Sequence, residues 1–239
     1  MSRRGTAAIW LAVAGLVMTA CGARGGDSTT VKAGSPGYAF GAISTFHKSF
    51  AGDEQWPADL SEAMPNHIIT LGDTGRQATY SDALVVGRVS SVTKGEGVIW
   101  GEDEGDYKVV SYDDPQAVTR TANVSMSVED ATGSVDTKTP SISLRVVAPI
   151  DADPEKFIEG LAGLDHIVVL LVNDPSAVHK VSMRPIMDGA SIGTVSDDGT
   201  VSWPGLAEDS KQFAGDLTSI DALLKAARAP DTTTVIKVE

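Results

Sequence analysis

SDALVVGRVSSV, residues Ser81 to Val92, decides the fold class. Leu84, Val85 and Val86 are followed by Val89 and Val92, an apolar, β-branched run of strand length. Gly87 in its middle permits a bulge or bend. The same character recurs downstream. Val98 to Trp100 and Tyr107 to Tyr112 flank the acidic turn GEDEGD and predict a hairpin. Thr119 to Val128 places Ala122, Val124, Met126 and Val128 on one parity, the alternation of a half-buried strand, and Ser141 to Val147 repeats the theme. His166 to Val172 is a short, nearly unbroken apolar run that predicts a central strand, followed by Val181 to Ile186. Ser191 to Ser196 and Thr200 to Trp203 predict a hairpin around Asp197-Asp198-Gly199, and Thr232 to Val238 predicts a last strand.

Helical patterns are few. Asp153 suits a cap and Pro154 a first position, with Phe157, Ile158, Leu161 and Leu164 on one face and Gly160 and Gly163 weakening the end. Asp216 to Arg228 carries Leu217, Ile220, Leu223, Leu224 and Ala227 on one stripe and stops at Pro230. Ala58 to Met64 reads as a short helix closed by Pro65, and Tyr38 to Phe50 as an irregular segment packed onto the domain. Many short strands with few helices predict a mainly β protein with two or three short helices (α+β), built as a small barrel or a sandwich.

From Ser81 to Trp203 the pattern resembles the OB-type barrels of netrin-like domains. There a strand like SDALVVGRV opens the barrel, and a glycine-containing turn leads into an apolar strand, here Gly163-Leu164-Asp165-His166-Ile167-Val168-Val169. The cysteines of that family are missing. OB folds often bind oligonucleotides or oligosaccharides. With four Trp, four Tyr and five Phe in 239 residues, this chain is short of the aromatic and basic face such binding needs.

The N-terminus carries a different signal. Ser2-Arg3-Arg4 is a short positive region, and Ala7 to Met18 (AAIWLAVAGLVM) is an uncharged apolar run of 12 residues. A membrane-spanning helix needs roughly 20 apolar residues, so this run fits a secretory signal better than a permanent span. Met18-Thr19-Ala20-Cys21 then resembles the lipobox of bacterial prolipoproteins, with Met18 in place of the usual Leu. The resemblance implies a diacylglyceryl group on the Cys21 sulfur and signal cleavage between Ala20 and Cys21; no cofactor is assigned. An ordinary secretory signal, or an uncleaved helix, is the competing reading.

These boundaries give residues 1–20 as a signal peptide, 21–37 as the lipidated cysteine and tether, and 38–239 as one β-rich domain. Gly22 to Gly37 has five glycines and little to bury, so a flexible tether reaching roughly 20–25 Å is expected. Two acyl chains hold a protein on a membrane where one does not. Cys21 is the single cysteine, so no disulfide and no thiolate site is available to the domain. Loss of Arg3 and Arg4 lowers Lys+Arg from 19 to 17 against 32 Asp+Glu, a formal charge of −15. Such a surface is repelled by phosphate backbones, which argues against a nucleic-acid partner.

Several motifs invite a catalytic reading and do not sustain it. Gly189-Ala190-Ser191-Ile192-Gly193 matches G-x-S-x-G, but a hairpin pattern follows it where a nucleophile elbow needs a helix. All four histidines (His47, His67, His166, His179) precede Ser191, the wrong order for that triad, and none has zinc-site spacing. Glu102-Asp103-Glu104-Asp106, Asp113-Asp114, Asp151/Asp153 and Asp197-Asp198 read as solvated turns, since none follows a calcium-loop pattern. Trp56-Pro57 and Trp203-Pro204 read as packing residues with ligand contact as the alternative. No catalytic or metal-binding residue is assigned. The expectation is a membrane-anchored extracytoplasmic lipoprotein that binds an envelope protein or ligand or supports the envelope structurally; the alternative is an extracytoplasmic hydrolase using two carboxylates brought together by folding.

Overall fold

A computed structural model describes residues 31–49, 57, 59–71, 76–101, 107–174, 179–206 and 210–236. Its organising element is the strand that contains residues 83–92. This strand, β3 (Ala83–Trp100), runs for 18 residues and absorbs both segments that read as separate strands. The intervening Thr-Lys-Gly-Glu-Gly looks like a turn in sequence, yet it stays extended and takes up its irregularity as a register shift between Lys94 and Gly97. A second shift falls between Val86 and Gly87, where the bulge is expected. At Gly87 the partner strand comes so close that an added Cβ would lie 1.8 Å from the Ser127 carbonyl oxygen. Only glycine permits that crossing.

β3 pairs along most of its length with β5 (Thr119–Gly133), which pairs in turn with β6 (Ser141–Val147). On its other side, Ala83 to Arg88 pairs with β7 (His166–Asn173), and Glu96 to Trp100 with β4 (Tyr107–Ser111). β7 is therefore central, as its apolar run predicts, and its outer side carries β8 (Met183–Pro185) and β9 (Ile192–Val195). β10 (Val201–Ser202) closes the predicted hairpin onto β9. Every ladder in this eight-stranded sheet is antiparallel. β6 and β8 approach each other without sharing a ladder, so the sheet curls back toward its own edge. Arg145 on β6 spans this seam to Asp174 just beyond β7, at 3.1 Å. The result is the α+β, barrel-like architecture expected from the strand pattern.

Helix α2 (Pro154–Ala162) bridges β6 and β7 and is capped as predicted, the Asp153 carboxylate accepting from the Glu155 and Lys156 amides. It buries Phe157, Ile158 and Leu161 in the apolar core that the sheet shares, and packs beside β3 and β5. Tyr38 to Phe50 departs from expectation. Instead of an irregular segment, helix α1 (Pro36–Ser49) forms and buries Ala39, Phe40, Ile43 and Ser44, one stripe at helical spacing. Its small residues hide that stripe in sequence. They are small because α1 presses on α2: an added Cβ at Gly160 would lie 2.9 Å from Ala39 Cβ. The Val31 amide donates to the Val92 carbonyl at 3.0 Å, and the Gly34 amide to Glu159 at 2.7 Å. This end of the Gly22–Gly37 stretch is thus packed onto the domain.

Asp59 to Met64 forms hydrogen-bonded turns where a short helix is expected. The Asp59 carboxylate accepts from the Ser61 amide (2.8 Å) and hydroxyl (2.6 Å), a local bond that competes with helix formation. A three-stranded sheet holds β1 (His67–Leu71) between β2 (Arg76–Ala78) and β11 (Thr232–Ile236), with β11 parallel to β1; β11 is the last strand expected from Thr232, whereas β1 and β2 are not expected from the sequence. Helix α3 (Ser210–Ala214) precedes α4 (Ile220–Ala227), which starts later than its apolar stripe suggests. Thr218 and Ser219 are drawn into bonds with Val201 and Thr200 of the β9–β10 hairpin, and Ser219 becomes the cap. Among the described residues no helix is long and apolar enough to cross a membrane.

Candidate functional site

The concave surface of the domain lies where α1, the β6–α2 connection and the tip of the β3–β4 hairpin meet. Two adjoining cavities of about 450 Å³ and about 310 Å³ share Phe46 and Pro149 as lining residues. Helix α1 contributes Ala42, Thr45 and Phe46; the connection contributes Val147 to Ala152; Trp100, Thr119 and Asp188 complete the far end. Five large apolar side chains among the described residues are exposed, and three of them, Tyr38, Trp100 and Ile150, line this groove. Trp100 and Ile150 are more than half exposed, at 53% and 55%. Apolar exposure concentrated in a concavity is the usual mark of a binding surface.

Two polar features sit in the walls. Thr119 is 9% exposed, and its Oγ1 is buried without a hydrogen-bond partner in the protein. Leaving a buried hydroxyl unpaired costs about 1–3 kcal/mol. Asp188 lies in a turn with three successive positive φ angles, Met187 at 54°, Asp188 at 48° and Gly189 at 96°. Two of the three are not glycine, and each such residue costs about 1–3 kcal/mol. The surroundings hold the turn in place. The Ser191 hydroxyl reaches the Ile186 carbonyl at 2.9 Å and the Leu170 carbonyl at 3.1 Å, and the Ala190 amide donates to Met187. Strain fixed this way presents Asp188 both to the groove and to a third cavity lined by Pro57, Tyr80, Val172 and Arg184.

A polar cluster lies beside the groove. The His179 Nδ1 is 3.1 Å from the Glu96 carboxylate, and both side chains are nearly buried. Tyr107 stacks on His179 at 5.8 Å between ring centroids and meets Trp100 at 5.7 Å, so a row of rings runs from exposed Trp100 to buried Glu96. Burial pushes the Arg145 guanidinium below the usual arginine range, against the opposing pull of Asp174. This seam ties β3, β4, β6 and the segment after β7 together.

Ala20 and Cys21 lie outside the described residues, as do Glu102–Asp106 and Trp56. Ser191 is fully buried and donates to main-chain carbonyls, a structural role. His67 Nδ1 bonds Thr232 Oγ1 at 2.9 Å, and His166 Nε2 lies 2.9 Å from the Glu129 carboxylate, so these histidines sit apart. Asp113 pairs with Lys94 at 3.4 Å, whose pKa is raised chiefly by its bond to Glu155. The Ser196 hydroxyl, with the Thr200 amide, holds the Asp198 carboxyl down at about 2. Trp203 is a core residue set edge-on against Phe213. Among the described residues no cluster of three or more His, Cys, Asp or Glu side chains is placed to hold a metal ion.

The groove residues and the Glu96–His179 pair were not singled out from sequence. Ala148-Pro149-Ile150 and an isolated Trp100 beside an acidic turn carry a weak signal, and their convergence needs the folded sheet. No protein family matches this chain, and no curated protein or solved structure matches it either.

Proposed function

We propose that this chain is a lipoprotein held at the extracytoplasmic face of a cell membrane by a diacylglyceryl group on Cys21, with its β-rich domain acting as a binding module for an envelope component. The observation that carries the reading is the position of the single cysteine, directly after Met18-Thr19-Ala20 and the 12-residue apolar run. A binding role is favoured by the groove, whose lining is mostly apolar and whose rim exposes Trp100 and Ile150. A carboxylate hydrolase needs an acid with a raised pKa. Among the described residues, the Asp59 and Asp198 carboxyls both move down. For Asp59, burial pulls upward but the Ser61 hydroxyl and the Ser61 and Glu62 amides outweigh it. The test is labelling of cells with a palmitate analogue. The wild-type chain takes the label and Cys21→Ala does not; equal labelling of the two overturns the anchor.

A further inference from the structure

We infer that the exposed apolar rim of the groove rests on the surface of the lipid bilayer that holds Cys21. The inference depends on the reading of Cys21 as the anchor, and it adds an orientation in which Tyr38, Trp100 and Ile150 face the membrane. Their exposures are 39%, 53% and 55%. They belong to one surface. Tyr38 lines one of the adjoining cavities with Asp151, Trp100 lines the other with Ile150, and Pro149 is common to both. At the Tyr38 end the phenol oxygen accepts from the Asp153 amide at 2.9 Å, and Lys156 Nζ stands 5.9 Å from the ring. Trp and Tyr concentrate at membrane–water interfaces, where the ring meets the acyl region and the polar tip stays wet. A lysine there lays its stem along the apolar layer and keeps its charge in water. Ile150 adds an aliphatic side chain with no polar atom to desolvate.

The length of chain ahead of the domain, and where it ends, favour a bilayer over other occupants. The Val31 amide donates to the Val92 carbonyl at 3.0 Å, so the chain is held to β3 from this point. The ten residues from Cys21 to Val31 span at most about 35 Å whatever path they take. A compact domain of this size is roughly 40 Å across, so the pole opposite Val31 is out of reach of the bilayer. The patch lies elsewhere. Gly34 bonds Glu159 and Tyr38 bonds Asp153, two points about 9 Å apart along α2. Ile150 comes three residues before Asp153. Trp100 is eight residues beyond Val92 on β3, a distance of at most about 27 Å. A second copy of the chain is a poorer occupant, because the contact would bring together two chains that each carry a formal charge of −13. A zwitterionic bilayer has no net charge and imposes no such repulsion.

The experiment couples the full chain through its single cysteine to maleimide lipids in phosphatidylcholine vesicles, so tethering at Cys21 does not depend on lipidation in a cell. Trp10→Phe and Trp56→Phe leave Trp100 as the reporter and the core residue Trp203 as a shielded reference. Vesicles with bromines on the upper acyl chain are expected to quench Trp100 emission about twofold relative to ordinary vesicles, and Trp100→Phe abolishes the difference. Ile150→Asp, an exposed position whose fold is checked by thermal melting, lowers the docked-to-free ratio read from that quenching about tenfold. Equal Trp100 emission in brominated and ordinary vesicles, or quenching that Ile150→Asp leaves intact, overturns the inference and leaves the patch to a protein partner. Absence of palmitate label on Cys21 in cells sinks the anchor reading alone, since the coupled chain reports on the patch either way.

Discussion

Replacing Gly87 by alanine tests the fold where its longest strand crosses its neighbour. A strand residue gains about 0.5–1 kcal/mol in going from glycine to alanine on propensity alone. The structure predicts the opposite sign. An alanine Cβ at Gly87 would sit 1.8 Å from the Ser127 carbonyl oxygen and 2.9 Å from Met126 Cε. The methionine tip can move aside; the carbonyl belongs to the β3–β5 ladder and moves only with it. Overpacking a core typically costs about 1–3 kcal/mol, and obstruction by backbone belongs at the upper end. Net of propensity, Gly87→Ala is destabilised by about 2–3 kcal/mol. With a urea slope near about 2 kcal/mol/M, the unfolding midpoint falls by about 1–1.5 M. Gly41→Ala is the control, because nothing lies within 4 Å of its added Cβ and it sits inside α1. That variant gains up to about 1 kcal/mol. Urea unfolding followed by circular dichroism measures both. A neutral or stabilising Gly87→Ala with unchanged slope would refute the crossing of β3 and β5 as described.

The remaining predictions concern helix packing, a buried hydroxyl and acid stability. Gly160→Ala loses about 1 kcal/mol in spite of better helix propensity, and Ala39→Gly in the same chain restores at least half, read from a double-mutant cycle; additive effects would contradict the α1–α2 contact. Ser191→Ala costs about 1 kcal/mol, and a fluorophosphonate probe leaves the native chain unlabelled at Ser191, since the hydroxyl is buried and bonded to carbonyls. Label at Ser191 would restore the nucleophile. The Asp198 carboxyl, held at about 2 by Ser196 and Thr200, titrates below the ordinary aspartate value of about 3.9. Its contribution to stability is complete above about pH 4 and is lost as pH falls through about 2, because the unfolded chain takes up the proton first. Asp198→Asn removes that part of the acid decline, measured by thermal melting between pH 5 and pH 2; an unchanged profile would refute the bond.

What could be read from sequence follows from how local each cause is. β6 and β7 were legible because alternation and apolar runs express burial directly, and the Asp153 cap because its bonds span three residues. The sequence pattern divides β3 into residues 81–92 and 98–100, because the register shift between Lys94 and Gly97 that keeps it one strand is set by its pairing with β5. α1 was hidden because its contact with α2 demands small residues, which weakens the apolar stripe. β1 was missed because its parallel partner β11 lies some 165 residues away, a pairing no local pattern encodes. The groove is the extreme case. Phe46, Trp100 and Ile150 come from three distant segments, and each alone is an unremarkable apolar residue. The proposed anchor is the reverse, resting on a wholly local motif, Met18 to Cys21, that resembles a lipobox.

The mass of the N-terminal peptide from the natively produced protein tests the central claim most directly. The account predicts a peptide that begins at Cys21 and carries the added mass of a diacylglyceryl thioether. A chain that starts at any other residue, or a Cys21 peptide of unmodified mass, would contradict it.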